Sequence, residues 1–220
     1  KVALTMTAIL ITAGTVSFLF LEYSNPDTFG EFSFGDKVMG AAFQSVTTRT
    51  AGFFTVPQGD LREESIFISC LLMFIGGSPA GTAGGVKTTT IVMLFLTAVT
   101  VVKGNKDTEC FGRRIPEGNI RTGISVVLMS FSILMIGTIA VSVIESAGFL
   151  DILFETTSAI GTVGLSTGLT PALHTVSKFI IMVLMYAGRI GPVTMALAFG
   201  FKKNPTSQMR QLPAKRLMIG

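Results

Sequence analysis

The chain has 220 residues, 49% of them hydrophobic and 14% charged, with a formal net charge of +4 and one histidine. Soluble domains carry ~25% charged residues, and the mean hydropathy of +0.64 agrees that this chain cannot cover a soluble surface; it reads as an integral membrane protein. A single histidine, His174, argues against a histidine-built metal site or Ser-His-Asp machinery, and Cys70 and Cys110 offer neither a disulfide framework nor zinc spacing.

Residues 2–21 carry no charge and are long enough to cross ~30 Å of hydrocarbon as a helix. Residues 66–75 are apolar but short, residues 76–85 interrupt them with small residues, and residues 86–102 resume. Together they predict one crossing broken at its middle. Residues 123–144 predict a third crossing and residues 176–201 a fourth, with Lys178 near its start and one charge well inside, Arg189. Short apolar helices are predicted over residues 35–46 and 149–158. Neither can span, so both fit re-entrant elements that dip in and return.

Charge sets the expected orientation. Residues 103–121 hold five basic and three acidic residues, and the tail holds Lys202, Lys203, Arg210, Lys215 and Arg216 with no acid. The connectors around the short helices hold ten acidic residues against four basic ones, Lys37, Arg49, Arg62 and Lys178. The positive-inside rule places the linker 103–121 and the tail 202–220 in the cytoplasm and the connectors outside. A multi-pass protein of the cell membrane is expected. Its basic residues serve as topology signals and anionic-lipid contacts, with no nucleic acid.

The two halves share an order: crossing, short helix, glycine turn, crossing. The first turn reads Thr47-Thr48-Arg49-Thr50-Ala51-Gly52-Phe53, the second Ala159-Ile160-Gly161-Thr162-Val163-Gly164-Leu165-Ser166. Aligning Gly52 with Gly164 sets a period of 112 residues and brings Pro79 near Pro192. Such repeats mark channel and transporter architecture. The fold class predicted is an all-α polytopic membrane protein. It has two helix–pore-loop–helix repeats, residues 1–102 and 122–201, with re-entrant pore helices and a broken second crossing.

A cation leaving water exchanges its hydration shell for oxygens, which rings of backbone carbonyls can supply. Glycine reaches the φ > 0 conformations that turn carbonyls toward an axis. Thr50, Ala51, Gly52 and Phe53, with Thr162, Val163, Gly164 and Leu165, resemble the Thr-Val-Gly-Tyr core of potassium-channel filters. Each set follows a short helix whose negative C-terminal end favours a cation. A single Thr-x-Gly is an ordinary turn; two copies at matching places in a repeat point to a filter.

At these residues the chain resembles the Trk/Ktr/HKT superfamily of cation transporters. The resemblance rests on Ser45-Val46-Thr47-Thr48-Arg49-Thr50-Ala51-Gly52-Phe53, the run from Gly76 to Thr88, and Gly188-Arg189-Ile190-Gly191-Pro192. It looks closest to Ktr membrane subunits. The family has four helix–pore-loop–helix repeats around one pore, and this chain carries two, similar to the third and fourth. The resemblance thus implies the C-terminal half of a potassium-uptake subunit, with K+ at the filter and no bound cofactor. Gly76, Gly77, Ser78, Pro79, Ala80, Gly81, Thr82, Ala83, Gly84 and Gly85 would form an intramembrane gate under the filter, together with Arg189. The partners implied are the missing N-terminal repeats, a second full subunit in a homodimer, membrane lipid, and a cytosolic nucleotide-binding ring subunit (KtrA/TrkA-like). Half a filter leaves K+ and Na+ permeation, and sodium or proton coupling, as alternatives. A non-conducting scaffold or receptor half is the reading from another class.

Gly81 to Thr88 superficially resembles a phosphate-binding loop, but Val86 separates Gly85 from Lys87 and no strand is expected before it. Lys87 reads as a snorkelling residue near a crossing's inner end, and His174 as a solvated residue at a helix start. Glu22, Glu145 and Glu155 could concentrate cations at the mouth. No carboxylate pair or nucleophile constellation suggests an enzyme. The chain opens at Lys1 directly into an apolar run, as a piece of a longer protein would.

Overall fold

An uncharged run of aliphatic and small residues forms α1 (Val2–Glu22), whose 21 residues span about 32 Å at 1.5 Å per residue. The computed structural model describes residues 2–79, 83–104, 107–191 and 194. After α1 the chain turns into α2 (Phe34–Thr47), capped by Ser33, whose hydroxyl accepts from the Asp36 N–H at 3.3 Å. The cap satisfies one of the helix's orphan donors. Helix α3 (Glu63–Phe74) follows, then α4 (Thr88–Val102), α5 (Glu117–Ile144), α6 (Phe149–Gly161) and α7 (Thr175–Ile190). In each half the order is long helix, short helix, turn, helix.

Helices α1 and α5 are long and apolar enough to cross a membrane. The stretch expected to form the second crossing is divided between α3 and α4 at its small-residue interruption. Three boundaries differ from expectation. The segment 103–121 is not all linker: Pro116 caps α5, which begins at Glu117, so the helix runs past its apolar stretch into polar sequence. Within the same segment β1 (Glu109–Cys110) pairs antiparallel with β2 (Arg113–Arg114), so the fold is mostly helical rather than purely so. Finally α7 stops at Ile190 instead of running on to residue 201. Gly191 lies at φ +89, and Pro192 lacks the N–H a continuing helix would need. Thr194 is again helical. The remaining residues of that expected crossing, and the whole tail, lie outside the described residues.

Helix α6 is the central element. It packs against α3, α5 and α7, and residues 154–161 are buried without interruption. A polar seam fixes it on α5: the hydroxyls of Thr138 and Thr156 lie 2.8 Å apart, each also bonded to a carbonyl in its own helix. Helix α2 is held on α1 similarly, with Ser45 donating to the Ile11 carbonyl at 2.9 Å. One apolar cluster joins Phe18, Phe29 and Met73 with Phe154, Val163 and Leu165. It therefore ties the first half to the second.

The outside is equally apolar. Phe20, Val102 and Val143 are each more than 80% exposed, and only 17% of the α1 span is buried. Exposed apolar surface on this scale is a membrane or partner surface.

Candidate functional site

The two glycine turns meet. Helix α2 gives way to a turn in which Ala51 N–H bonds the Thr47 carbonyl at 3.1 Å and the Thr47 hydroxyl donates to the Phe53 carbonyl. Thr50 lies at φ +70 and Gly52 at φ +78. Helix α6 ends on Thr162 in the left-handed conformation, followed by Gly164 at φ +92. A Cβ on Gly52 would strike the Val163 carbonyl oxygen and sit 3.5 Å from Gly164 Cα; one on Gly164 would lie 3.8 Å from Gly52 Cα. Positive φ and close approach both require glycine at Gly52. Ala51, Phe53 and Gly164 are exposed on the open side of the pair, while Val163 and Leu165 are buried behind it.

Below the turns lies the segment that divides the second crossing. Its legs run side by side: Ile75 and Val86 form a parallel bridge, Val86 N–H bonds the Phe74 carbonyl at 3.1 Å, and Thr88 N–H bonds the Gly77 carbonyl at 3.3 Å. Gly84 N–H donates to the Thr162 hydroxyl at 3.0 Å, tying this loop to the second turn. The fit is tight, since a Cβ on Gly84 would reach 2.8 Å from both the Gly161 carbonyl oxygen and Thr162 Cγ2. Lys87 does not extend away to snorkel; its ammonium folds back and donates to the Ala83 carbonyl. Ala80, Gly81 and Thr82 lie outside the described residues.

Arg189 occupies the last turn of α7 and is exposed. Arg49, in the first turn, reaches the loop through a relay of hydroxyls. Its Nη2 reaches the Thr7 hydroxyl at 3.5 Å, which in turn lies 3.3 Å from the Ser78 hydroxyl. Sequence reasoning counted Arg49 only as a topology charge.

The acids expected at a mouth do other work. Glu22 is fully buried and accepts from Asn25 at 2.6 Å, Thr28 at 2.7 Å and the Arg62 N–H at 3.0 Å. It fastens the end of α1 to the start of α3. Glu155, 5% exposed, accepts from Ser166 at 2.6 Å, the Thr167 N–H at 3.0 Å and Thr170 at 2.5 Å. It staples the strand of chain leaving the second turn. Charge-assisted bonds of this kind are the strong ones. Their polar partners stabilise the carboxylates, leaving no free face for concentrating ions. The first turn has a neutral counterpart, the buried pair Gln44 and Gln58, bonded amide to amide at 2.5 and 3.2 Å. The signal for Glu155 was in the sequence: a carboxylate in the middle of a short apolar helix.

Glu145 ends α5 and accepts from the His174 N–H at 2.8 Å, with its other oxygen 3.1 Å from His174 Nδ1. His174 is thus paired rather than merely solvated. The Glu145 carboxyl is held below its ordinary range, first by the Ser177 hydroxyl, though that contact falls outside ordinary hydrogen-bond geometry, and then by the His174 N–H. Among the described residues no cluster of His, Cys, Asp or Glu could hold a resident metal.

An apolar helical fold built around paired glycine turns and a looped, divided crossing is the form of a membrane cation transporter. The family profile described as TrkH, cation transport protein, matches residues 1–210, and the chain belongs to that family. Its members are transporters, not enzymes, as the sequence implied. The chain is 43% identical over 210 residues to the Ktr system potassium uptake protein B of Bacillus subtilis, covering 96% of this chain and 47% of that protein. It is 34% identical over 224 residues to the potassium/sodium uptake protein NtpJ of Enterococcus hirae, covering 100% and 49%. The crystal structure of the potassium transporter TrkH from Vibrio parahaemolyticus superposes with a TM-score of 0.77 at 18% identity, over 90% of this chain and 44% of that one. The chain spans about half the length of these relatives.

Proposed function

We propose that this chain is the C-terminal half of an ion-conducting potassium-uptake subunit, supplying two of four filter turns and the gate beneath them. The observation that carries this reading is the contact between the two glycine turns, at Gly52 and Gly164, above a loop bonded to one of them. Carbonyls of Thr50, Ala51, Gly52, Phe53, Thr162, Val163, Gly164 and Leu165 replace the hydration shell of K+. Helices α2 and α6 are the re-entrant pore helices, and their C-terminal dipole ends favour a cation between them. The exposed side of the turns receives the N-terminal repeats, which complete the ring. The gate comprises the loop from Gly76 to Gly85 together with Arg189.

The linker 103–121 and the tail face the cytoplasm. A homodimer of full subunits and a nucleotide-binding ring on that face complete the system, as the kinship with a Ktr system protein supports. A second reading, a pathway that also passes sodium, is favoured by the 34% identity to a potassium/sodium uptake protein along the whole chain.

The test replaces Gly52 or Gly164 by serine in the full subunit and measures potassium uptake against sodium. A side chain at φ > 0 costs about 1–2 kcal/mol, so about a tenfold loss of apparent potassium affinity or of selectivity is expected. Unchanged affinity and selectivity in both variants would overturn the filter assignment.

A further inference from the structure

A cavity of about 540 Å³ lies away from the glycine turns, between α4, α5 and the β1–β2 hairpin. Its walls include Val92, Met93, Leu96 and Val126, and Arg113 and Arg114 are part of its lining. A second cavity of about 280 Å³ adjoins it, sharing Val92, Leu96 and Cys110 and bounded on its far side by α1 and Phe111. The pair forms two apolar lobes that meet at Cys110.

The charged lining is divided: Arg113 and Arg114 belong to the larger lobe, and Glu109 to the smaller one. Arg113 and Arg114 are both exposed. Arg114 Nε sits 2.8 Å from Asp107, with the two side chains 65% and 45% exposed; an ion pair so open to water contributes little and leaves the guanidinium free to gain a better anion. Phe111, at the hairpin tip, is 64% exposed beside the second lobe. A small water-soluble anion would have no use for walls of Met93 and Leu96. A neutral hydrocarbon would have none for two arginines. The combination fits a molecule with hydrocarbon chains and an anionic head, and basic pockets between membrane helices are known hosts for such headgroups.

We propose that these two lobes bind one anionic phospholipid, its acyl chains in the lobes and its phosphate on Arg113 and Arg114. The site does not depend on the filter reading, because nothing in it touches the glycine turns. Under the orientation proposed above, it opens to the cytoplasmic leaflet.

The test is native mass spectrometry of the full four-repeat subunit, with dioleoyl phosphatidylglycerol or dioleoyl phosphatidylcholine added to the micelle. Folding of each variant is matched by circular dichroism. Phosphatidylglycerol should be retained and phosphatidylcholine lost. Arg113→Gln and Arg114→Gln should each lower retention about fivefold, while Asp107→Asn, which releases Arg114, should raise it. A phosphatidylglycerol carrying a photoreactive acyl chain should label peptides containing Met93 or Val126. Equal retention of both lipids would overturn the proposal, as would arginine variants that bind like wild type. So would full displacement by free glycerol 3-phosphate, which would mark a phosphate site, or labelling only elsewhere, which would mean that other chain fills the lobes.

Discussion

Thr162 ends α6 in the left-handed conformation, and the same residue presents its hydroxyl to the Gly84 N–H. One side chain therefore joins the second turn to the loop below it. A neutral hydrogen bond contributes about 1 kcal/mol net, equivalent to about a fivefold shift between loop states. Thr162→Ala is expected to raise basal cation flux by about that factor, and Thr162→Ser, which restores the hydroxyl, to return it to the wild-type level. Identical flux in all three proteins would show that the bond carries no gating role. At the end of α5, Glu145 makes a separate, pH-dependent prediction. Its folded-state carboxyl is held below the ordinary value of 4.5. Its contribution to stability is therefore complete above that value and disappears as pH falls through the lowered one. Thermal unfolding in detergent should show Glu145→Gln less stable than wild type near neutrality, with the gap closing in acid. A gap that stays constant down to strongly acid pH would contradict this.

Among the elements, α1, α2 and α6 were legible because length alone separates a spanning run from a short one, and polar residues mark each end. The divided second crossing was legible because ten successive small or flexible residues cannot sustain a membrane helix. The stop of α7 was harder to read. Pro192 in an apolar run is compatible with a kinked but continuous helix, and only the geometry of Gly191 shows the break. The hairpin at 109–114 was missed because strands of two residues have no periodicity to detect. Its turn also places Phe111, not asparagine or glycine, at φ +49. The roles of Glu22 and Glu155 depend on partners up to 40 residues away, which charge counting cannot find.

For the loop, the parallel legs and the bond to Thr162 hold its two ends in place, and under the proposed gate role the loop is a barrier. Shortening the segment from Gly76 to Gly85 should raise flux and reduce dependence on the ring subunit; normal folding with lower flux would make the loop a support instead. Arg189 makes a related prediction. If the proposed gate role puts its guanidinium ~8 Å from a passing monovalent cation, an effective dielectric near 20 makes the charge oppose passage by roughly 2 kcal/mol, about thirtyfold in occupancy. Arg189→Gln should increase tracer flux in proteoliposomes, and Arg189→Lys, which keeps the charge but loses the planar fork of donors, should fall between. Equal flux for Gln and wild type would reduce Arg189 to an anchor.

At the scale of the molecule, the two halves resemble one another in order but are held differently. A buried carboxylate staples the exit from the second turn, and an amide pair lies behind the first. The open, exposed side of both turns is what half of a four-part ring requires. The most direct measurement is anomalous scattering from crystals of the full four-repeat protein soaked in thallium(I), which substitutes for potassium. A thallium peak flanked by the backbone oxygens around Gly52 and Gly164 is expected, and it should be lost in Gly52→Ser. Well-ordered thallium elsewhere in the protein, with none between the two turns, would contradict the filter.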